Sequence, residues 1–453
     1  MRNSIAEQVD EILGQIQDIE DFQLHGFVER LEGMSAIVRV NSQKIHIGTR
    51  CWLHPKNHSP VLGEVISFNQ DLAQVMTFQH LKGLHPKCKV TFLEHGTTIY
   101  PSSQWQGRVI NGLAESIDGK GKLSLGAVAY SLHSTPIPAH NRAKVKEPIE
   151  LGVRVIDTFL TCCKGQRLGI FAGSGVGKSI LLSMIVKFAN CDICIVGLIG
   201  ERGREVREFI EDTLGEEGLK RTILIVATSD ETALMRREAA HLTLRLAEYY
   251  RDLGLSVICV MDSVTRFAMS QREIGLAAHE PPTTKGYTPS VFAELPKLLE
   301  RAGPGIENSE GKTGYITGFF TVLVDGDDHN EPISDAVRGI LDGHIVLDRS
   351  LATRGHYPAI NVLQSISRTV PMCHSELEQQ AVIEARKNLS TYHDMVDLIR
   401  LGAYRVGTDP IVDKSIHMNE KLEAFLKQKP SEFTSQAESF EELKNITGQN
   451  QTE

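Results

Sequence analysis

The stretch Ala172-Gly173-Ser174-Gly175-Val176-Gly177-Lys178-Ser179 constrains this chain more than any other. It follows a short apolar run, Arg167 to Phe171, and opens a segment of helical periodicity, Ser179 to Phe188. A strand feeding a helix through a glycine-rich turn is the setting of a phosphate-binding loop. Glycines let successive backbone N–H groups turn inward on phosphate oxygens, and the helix N-terminus adds its partial positive charge. In that arrangement Lys178 reaches the β- and γ-phosphates of ATP and the Ser179 hydroxyl ligates Mg²⁺. The first position is Ala172 where the usual form has glycine; with Gly173, Gly175 and Gly177 inside the loop, this reads as a tolerated variant.

Such a loop belongs at the carboxyl edge of a sheet, and the flanking sequence supplies one. Apolar strands alternate with amphipathic helices: strand Arg167 to Phe171, helix Ser179 to Phe188, strand Ile193 to Ile199, helix Glu205 to Thr213, strand Thr222 to Ala227, helix Glu231 to Arg251, strand Ser256 to Met261. That rhythm predicts an α/β domain with a mainly parallel sheet, extended by strands at Gly314 to Val324 and Gly343 to Leu347. The run Val257 to Met261 delivers Asp262 to the loop's edge of the sheet, where a carboxylate holds Mg²⁺, often through water. An Asp in that place also serves as a plain helix cap. Past the strand Ile193 to Ile199, the run Gly200-Glu201-Arg202-Gly203-Arg204-Glu205 brings a second carboxylate to the same edge. Glu201 is the candidate base that orients water, with Arg202 supporting the γ-phosphate. The competing reading is a solvated helix start whose charges pair locally.

Around this core the chain divides into residues 1–22, 23–95, 96–370 and 371–453. In the first, Ile5, Val9, Ile12, Leu13, Ile16 and Ile19 stack on one face of an amphipathic helix that packs on its own domain or docks a partner. From 23 to 95, short β-rich runs at Ala36 to Val40, Lys44 to Ile47, Val61 to Phe68, Ala73 to Phe78 and Lys89 to Phe92 predict a small β-barrel. Pro136, Pro138 and Pro148 mark connecting chain ahead of the chemical domain, and after Pro371 a charged, periodic sequence predicts a C-terminal helical domain that loses apolar content from Lys427 and frays at its last residues.

Composition bears on partners. A formal net charge of −9 and a pI near 6.0 leave no global basic field for nucleic acid, and the barrel shows no cluster of aromatics with Lys and Arg. No apolar run approaches the roughly 20 residues of a membrane span, so membrane contact is expected only peripherally, through partners. Eight scattered cysteines suit a reducing cytoplasm, and Cys191 with Cys194 lacks a second ligand pair, which makes buried strand thiols the simpler reading of this C-x-x-C.

Taken in order, the loop at Ala172 to Ser179, the turn Gly200-Glu201-Arg202, the run Met261-Asp262-Ser263-Val264-Thr265-Arg266 and the stretch Pro358 to Arg368 resemble the α/β-type rotary and export ATPases, over roughly residues 23 to 430. Asp335 to Leu347 and Ser365 to Pro371 resemble the export ATPases of bacterial type III secretion. Val362 to Cys373 and Tyr404 to Lys414 favour the flagellar kind over its virulence-type relatives. The resemblance implies a P-loop (RecA-like) core and a homohexameric ring with ATP sites between subunits. It implies Arg368 as an arginine finger reaching a neighbour's γ-phosphate, Tyr357 stacking on adenine, and Arg266 on the γ-phosphate side. Noncatalytic subunits of this fold usually lack the carboxylate at Glu201, so its presence implies a working site. Asp327 to Pro332 departs from the commoner wording of that loop without touching a catalytic position. The resemblance further implies a stator-like regulator at the N-terminal helix, with chaperones, cargo and a membrane export gate at the C-terminal helices. ATP turnover would release and unfold export substrates. The rival readings are a rotary ATP synthase catalytic subunit, a hexameric RNA translocase and a noncatalytic assembly protein.

Overall fold

The computed structural model of the chain describes residues 24–40, 44–80, 83–93, 97–307, 311–324, 331–370 and 372–449. The amphipathic helix expected at 1–22 lies outside the described residues, as does most of the loop at Asp327 to Pro332. The described chain falls into two compact units: one holds the barrel strands and Leu276–His279, the other runs from Ile99 to Gly275 and from Glu280 onward.

The first unit is a closed six-stranded barrel of His25–Glu32, Ser35–Arg39, Arg50–His54, Val61–Asn69, Leu72–Thr77 and Lys89–Phe92. Val28, Val38, Leu53, Val65, Val75 and Val90 fill its interior. Two of these strands, His25–Glu32 and Arg50–His54, escape an apolar-run reading because only alternate residues face inward; in the first, Glu29, Arg30 and Glu32 dilute the signal. The strand expected at Lys44 to Ile47 is instead a turn. Ile45 is buried there, but the chain reverses so that the Gly48 N–H meets the Val65 carbonyl at 2.8 Å.

The second unit is built on a nine-stranded sheet. Its main path runs Ile366–Ser367, Gly343–Leu347, Arg167–Ala172, Tyr315–Leu323, Ser256–Asp262, Ile193–Glu201, Thr222–Thr228, Val109–Ile110. All pairs on this path are parallel except the first, and a further short strand, Gly303–Pro304, pairs antiparallel with Tyr315–Leu323. The inner strands are buried along their length, as expected where helices cover both faces, and this explains their near-continuous apolar sequence. Parallel pairing also places the carboxyl ends of Arg167–Ala172, Ile193–Glu201 and Ser256–Asp262 on one edge.

Three helices close the chain: Glu376–Arg400, Pro410–Leu426 and Gln436–Thr447. Ala381, Val382, Ala385, Leu422, Phe425, Phe440 and Leu443 join the same core as Leu168, Ile170 and Leu181 of the nucleotide-loop region. The polar stretch after Lys427 still forms a helix, Gln436–Thr447. Ser435 and Glu438 form a capping box, Phe440 and Leu443 are buried one turn apart, and Gln436 is tied by its N–H to Glu150 at 2.8 Å. A few apolar residues at helical spacing suffice when a groove receives them. Among the described residues no helix is long and apolar enough to cross a membrane.

Candidate active site

Ala172 ends the strand that pairs with Tyr315–Leu323 on one side and Gly343–Leu347 on the other, so the loop after it leaves near the middle of the sheet. Val176 is buried and anchors the loop. Gly177, at φ +93°, precedes the helix Lys178–Phe188, and a Cβ there would stand 3.1 Å from the Tyr357 ring. Glycine is therefore required at Gly177 twice, by backbone conformation and by the aromatic neighbour. Gly173, Ser174, Gly175 and Ser179 line the same cleft of about 610 Å³, a volume within the ordinary range for ligand sites.

At the base of this cleft Lys178 Nζ donates to Asp262 Oδ1 at 2.5 Å and to Glu201 Oε1 at 3.3 Å. All three side chains are largely buried. Glu201 reaches this position through a register slip: between Ile199 and Glu201 the strand bulges against Thr222–Thr228 at Gly200, whose φ is +71°. A Cβ on Gly200 would come within 2.9 Å of the Arg266 side chain, so the bulge also admits Arg266 to the cleft wall. Asp262 is held from behind by Thr321, whose hydroxyl donates to Oδ1 at 2.7 Å.

The charges respond to burial and to each other. Burial pushes the Asp262 carboxyl up, while Lys178 and the Thr321 hydroxyl pull it back. Burial also raises Glu201, Lys178 opposes this, and the Glu205 carboxylate, which accepts a hydrogen bond from protonated Glu201 and repels its ionised form, adds to the rise. For Lys178 burial acts downward, but the two carboxylates outweigh it and hold the ammonium above its ordinary value. The result is a permanently charged amine fixed where phosphate oxygens would meet the loop.

The remaining expected residues divide. Arg202 and Arg266 line the cleft: Arg202 is exposed and paired with Glu205 at 3.6 Å, whereas the Arg266 Nε is buried without a hydrogen-bond partner. Tyr357 stands over Gly177. Arg368 is not brought to this site. It follows the strand Ile366–Ser367, which pairs with Gly343 and His344 at the opposite end of their strand from Leu347, and it is exposed with its N–H on the Asp342 carbonyl at 3.0 Å.

Among the described residues no three His, Cys, Asp or Glu side chains converge as a metal cluster. The Ser179 hydroxyl lines the cleft and the buried Asp262 carboxylate lies behind it on Lys178; both are hard oxygen donors of the kind that suits Mg²⁺ completed by phosphate and water. Sequence reasoning passed over Thr321. Thr317 and Thr321 are the only hydroxyl-bearing residues in the buried strand Tyr315–Leu323 apart from its first tyrosine, a detectable oddity, yet the partner of Thr321 is set by register with the neighbouring strand.

Known proteins bear on this geometry. The profile of the ATP synthase alpha/beta family, nucleotide-binding domain, matches residues 152–367, and that of the T3SS EscN ATPase C-terminal domain matches residues 374–445. The chain is 53% identical to the flagellum-specific ATP synthase of Caulobacter vibrioides, covering 96% of this chain and 98% of that one. With the flagellum-specific ATP synthase of Bacillus subtilis identity is 46%, covering 96% and 97%. The structure of the assembled ATPase EscN in complex with its central stalk EscO, from the type III secretion system of enteropathogenic E. coli, superimposes with a TM-score of 0.84 at 38% identity, over 93% of this chain and all of that one. With relatives matched almost end to end around an intact phosphate loop, this chain belongs to the flagellum-specific ATP synthases, the type III export branch of the ATP synthase alpha/beta family, and is an ATP hydrolase.

Proposed function

We propose that the chain powers a flagellar type III export apparatus, hydrolysing Mg-ATP in a homohexameric ring to release and unfold cargo for export. The observation that carries this reading is Lys178, held between Glu201 and Asp262 at the mouth of the glycine loop. The loop amides of Gly173 to Ser179 and the Lys178 ammonium neutralise the phosphates, and the Tyr357 ring takes the adenine. Ser179 and Asp262 would hold Mg²⁺, which would supply neutralisation of the charge on the phosphates. Glu201 orients and polarises the attacking water, Arg266 and Arg202 face the γ-phosphate, and Arg368 enters from the neighbouring subunit. The segment 1–22 receives a stator-like regulator; the assembled EscN has a protein partner of its own, the central stalk EscO. The C-terminal helices meet chaperones, cargo and the membrane export gate, so that a cytoplasmic ring touches the membrane peripherally. Nucleic acid has no place in this reading, given the acidic balance of the chain.

Two experiments test the assignment of roles. Glu201→Gln keeps the shape but cannot act as base, and turnover is expected to fall about 10² to 10⁴-fold while nucleotide binding persists. In the wild type, kcat/KM falls as pH drops through the raised pKa of Glu201, because the base must be ionised. Glu205→Gln removes one cause of that rise, so the acid limb moves to lower pH. A limb that stays in place would dismiss Glu201 as the titrating group. Thr321→Val removes only the hydroxyl behind Asp262. It is expected to lower kcat about tenfold, the worth of one hydrogen bond to a charged group, with a cooperative thermal melt lowered by only a few degrees as the control that the variant still folds. Wild-type turnover in this variant would show that Asp262 needs no such anchor.

A further inference from the structure

Cys191 and Cys194 flank the start of the strand Ile193–Glu201, at the opposite end from Glu201, and their sulfurs lie 3.6 Å apart. Arg221 Nη2 donates to Cys191 Sγ at 3.3 Å and to Cys194 Sγ at 3.8 Å, and also to the Ala189 carbonyl at 2.6 Å. The backbone fixes this arrangement, since the Cys194 N–H donates to the Arg221 carbonyl at 2.9 Å. Cys194 is fully buried, whereas Cys191 reaches the surface in part. We propose that Cys191 and Cys194 form a redox-modification site, a dithiol that a low-molecular-weight disulfide such as oxidised glutathione converts reversibly to an intrachain disulfide.

The chemistry follows from the neighbours. A guanidinium directed at sulfur favours thiolate over thiol, and thiolate is the nucleophile in exchange. The Cys194 thiol is held below its ordinary value, chiefly by the Cys191 S–H and also by Arg221, while burial opposes this. The same hydrogen bond, together with burial, holds the Cys191 thiol above its ordinary value while Arg221 opposes this, so Cys191 keeps its proton at rest and Cys194, 3.6 Å away, is the base that takes it. As its proton passes to Cys194, the Cys191 sulfur attacks one sulfur of oxidised glutathione, forming a mixed disulfide and expelling one glutathione thiolate, which takes the proton from Cys194. Cys194 thiolate then attacks the Cys191 sulfur and expels the second. Two protein thiols and one glutathione disulfide become one protein disulfide and two glutathione thiols, the protons passing to the released thiolates. The bond would tie the turn after the phosphate-loop helix, at Ala189 to Cys191, to the strand that ends in Glu201.

The test equilibrates the full chain in graded ratios of oxidised to reduced glutathione, quenches with acid, alkylates free thiols and maps the peptides by mass. The peptide carrying Cys191 and Cys194 is expected to lose two hydrogens, reversibly with dithiothreitol, at ratios where buried Cys51 and Cys259 still alkylate after unfolding. Cys194→Ser is expected to stop at a glutathione adduct on Cys191. Arg221→Gln is expected to slow alkylation of Cys191 at neutral pH by about tenfold, the effect of losing one nearby positive charge. If the wild-type peptide alkylates at both thiols across the whole series, or if Cys194→Ser carries no adduct, the proposal is overturned. An unchanged alkylation rate in Arg221→Gln would overturn the part assigned to the guanidinium.

Discussion

Lys178→Ala is expected to reduce ATP turnover by about a thousandfold or more, the scale of losing a preorganised cation from a phosphoryl-transfer site. Two effects combine. The variant loses the charge that meets the β- and γ-phosphates, and it leaves Glu201 and Asp262 facing one cleft with no cation between them. Two buried carboxylates without their ammonium repel an incoming triphosphate and repel each other, so one of them takes up a proton. Nucleotide affinity should therefore fall together with kcat, which distinguishes this variant from Glu201→Gln, where binding persists. Steady-state turnover, binding of a fluorescent adenine nucleotide and a thermal melt separate these outcomes from misfolding. Turnover within about threefold of wild type would remove Lys178 from the chemistry.

Arg368→Ala is the second large effect, and it depends on assembly. Within its own chain Arg368 sits by Gly343, at the far end of the strand whose Leu347 neighbours Ala172. Four residues of extended strand separate these ends by roughly 13 Å, so Arg368 lies far from the loop of its own chain, and in the proposed ring it serves a neighbouring subunit. An arginine supplied in trans contributes roughly 10³ to 10⁵ in rate. Turnover per chain in the wild type should rise steeply with protein concentration, and Arg368→Ala should stay low throughout. Mixing two inactive proteins gives the sharper measurement. Arg368→Ala has an intact loop and lacks the finger, whereas Lys178→Ala has the finger and lacks the loop. In mixed rings about a quarter of interfaces pair the intact halves, and activity should return on mixing. A mixture as inactive as its components would refute completion of the site across subunits.

The site was legible in sequence to the extent that its residues are local. Ala172 to Ser179 lie in one continuous turn, and Asp262 and Glu201 each end an apolar run, so parallel strands were bound to deliver them to one edge. Register was not legible. The bulge at Gly200 that aims Glu201, and the apposition of Thr321 with Asp262, arise from how neighbouring strands slide and pair, and a single strand's sequence does not carry that information. The barrel shows the same limit, because His25–Glu32 and Arg50–His54 have apolar faces only once closure decides which side is inside. The last helix, Gln436–Thr447, is faint in the sequence for a related reason: two buried apolar residues and a capping box outweigh a polar composition when the receiving groove exists.

Sequence alone determined the chemistry this chain can perform. The glycines, the lysine and the strand-ending carboxylates are covalent facts, and local backbone preferences suffice to turn them into a phosphate cradle. Tertiary structure decided which charges share that cradle, what stands behind Lys178 and Asp262, and that Arg368 lies at the far end of the neighbouring strand from it. Those outcomes depend on strand register and on packing between segments far apart in the chain, where the energy of each contact exists only after the segments have met.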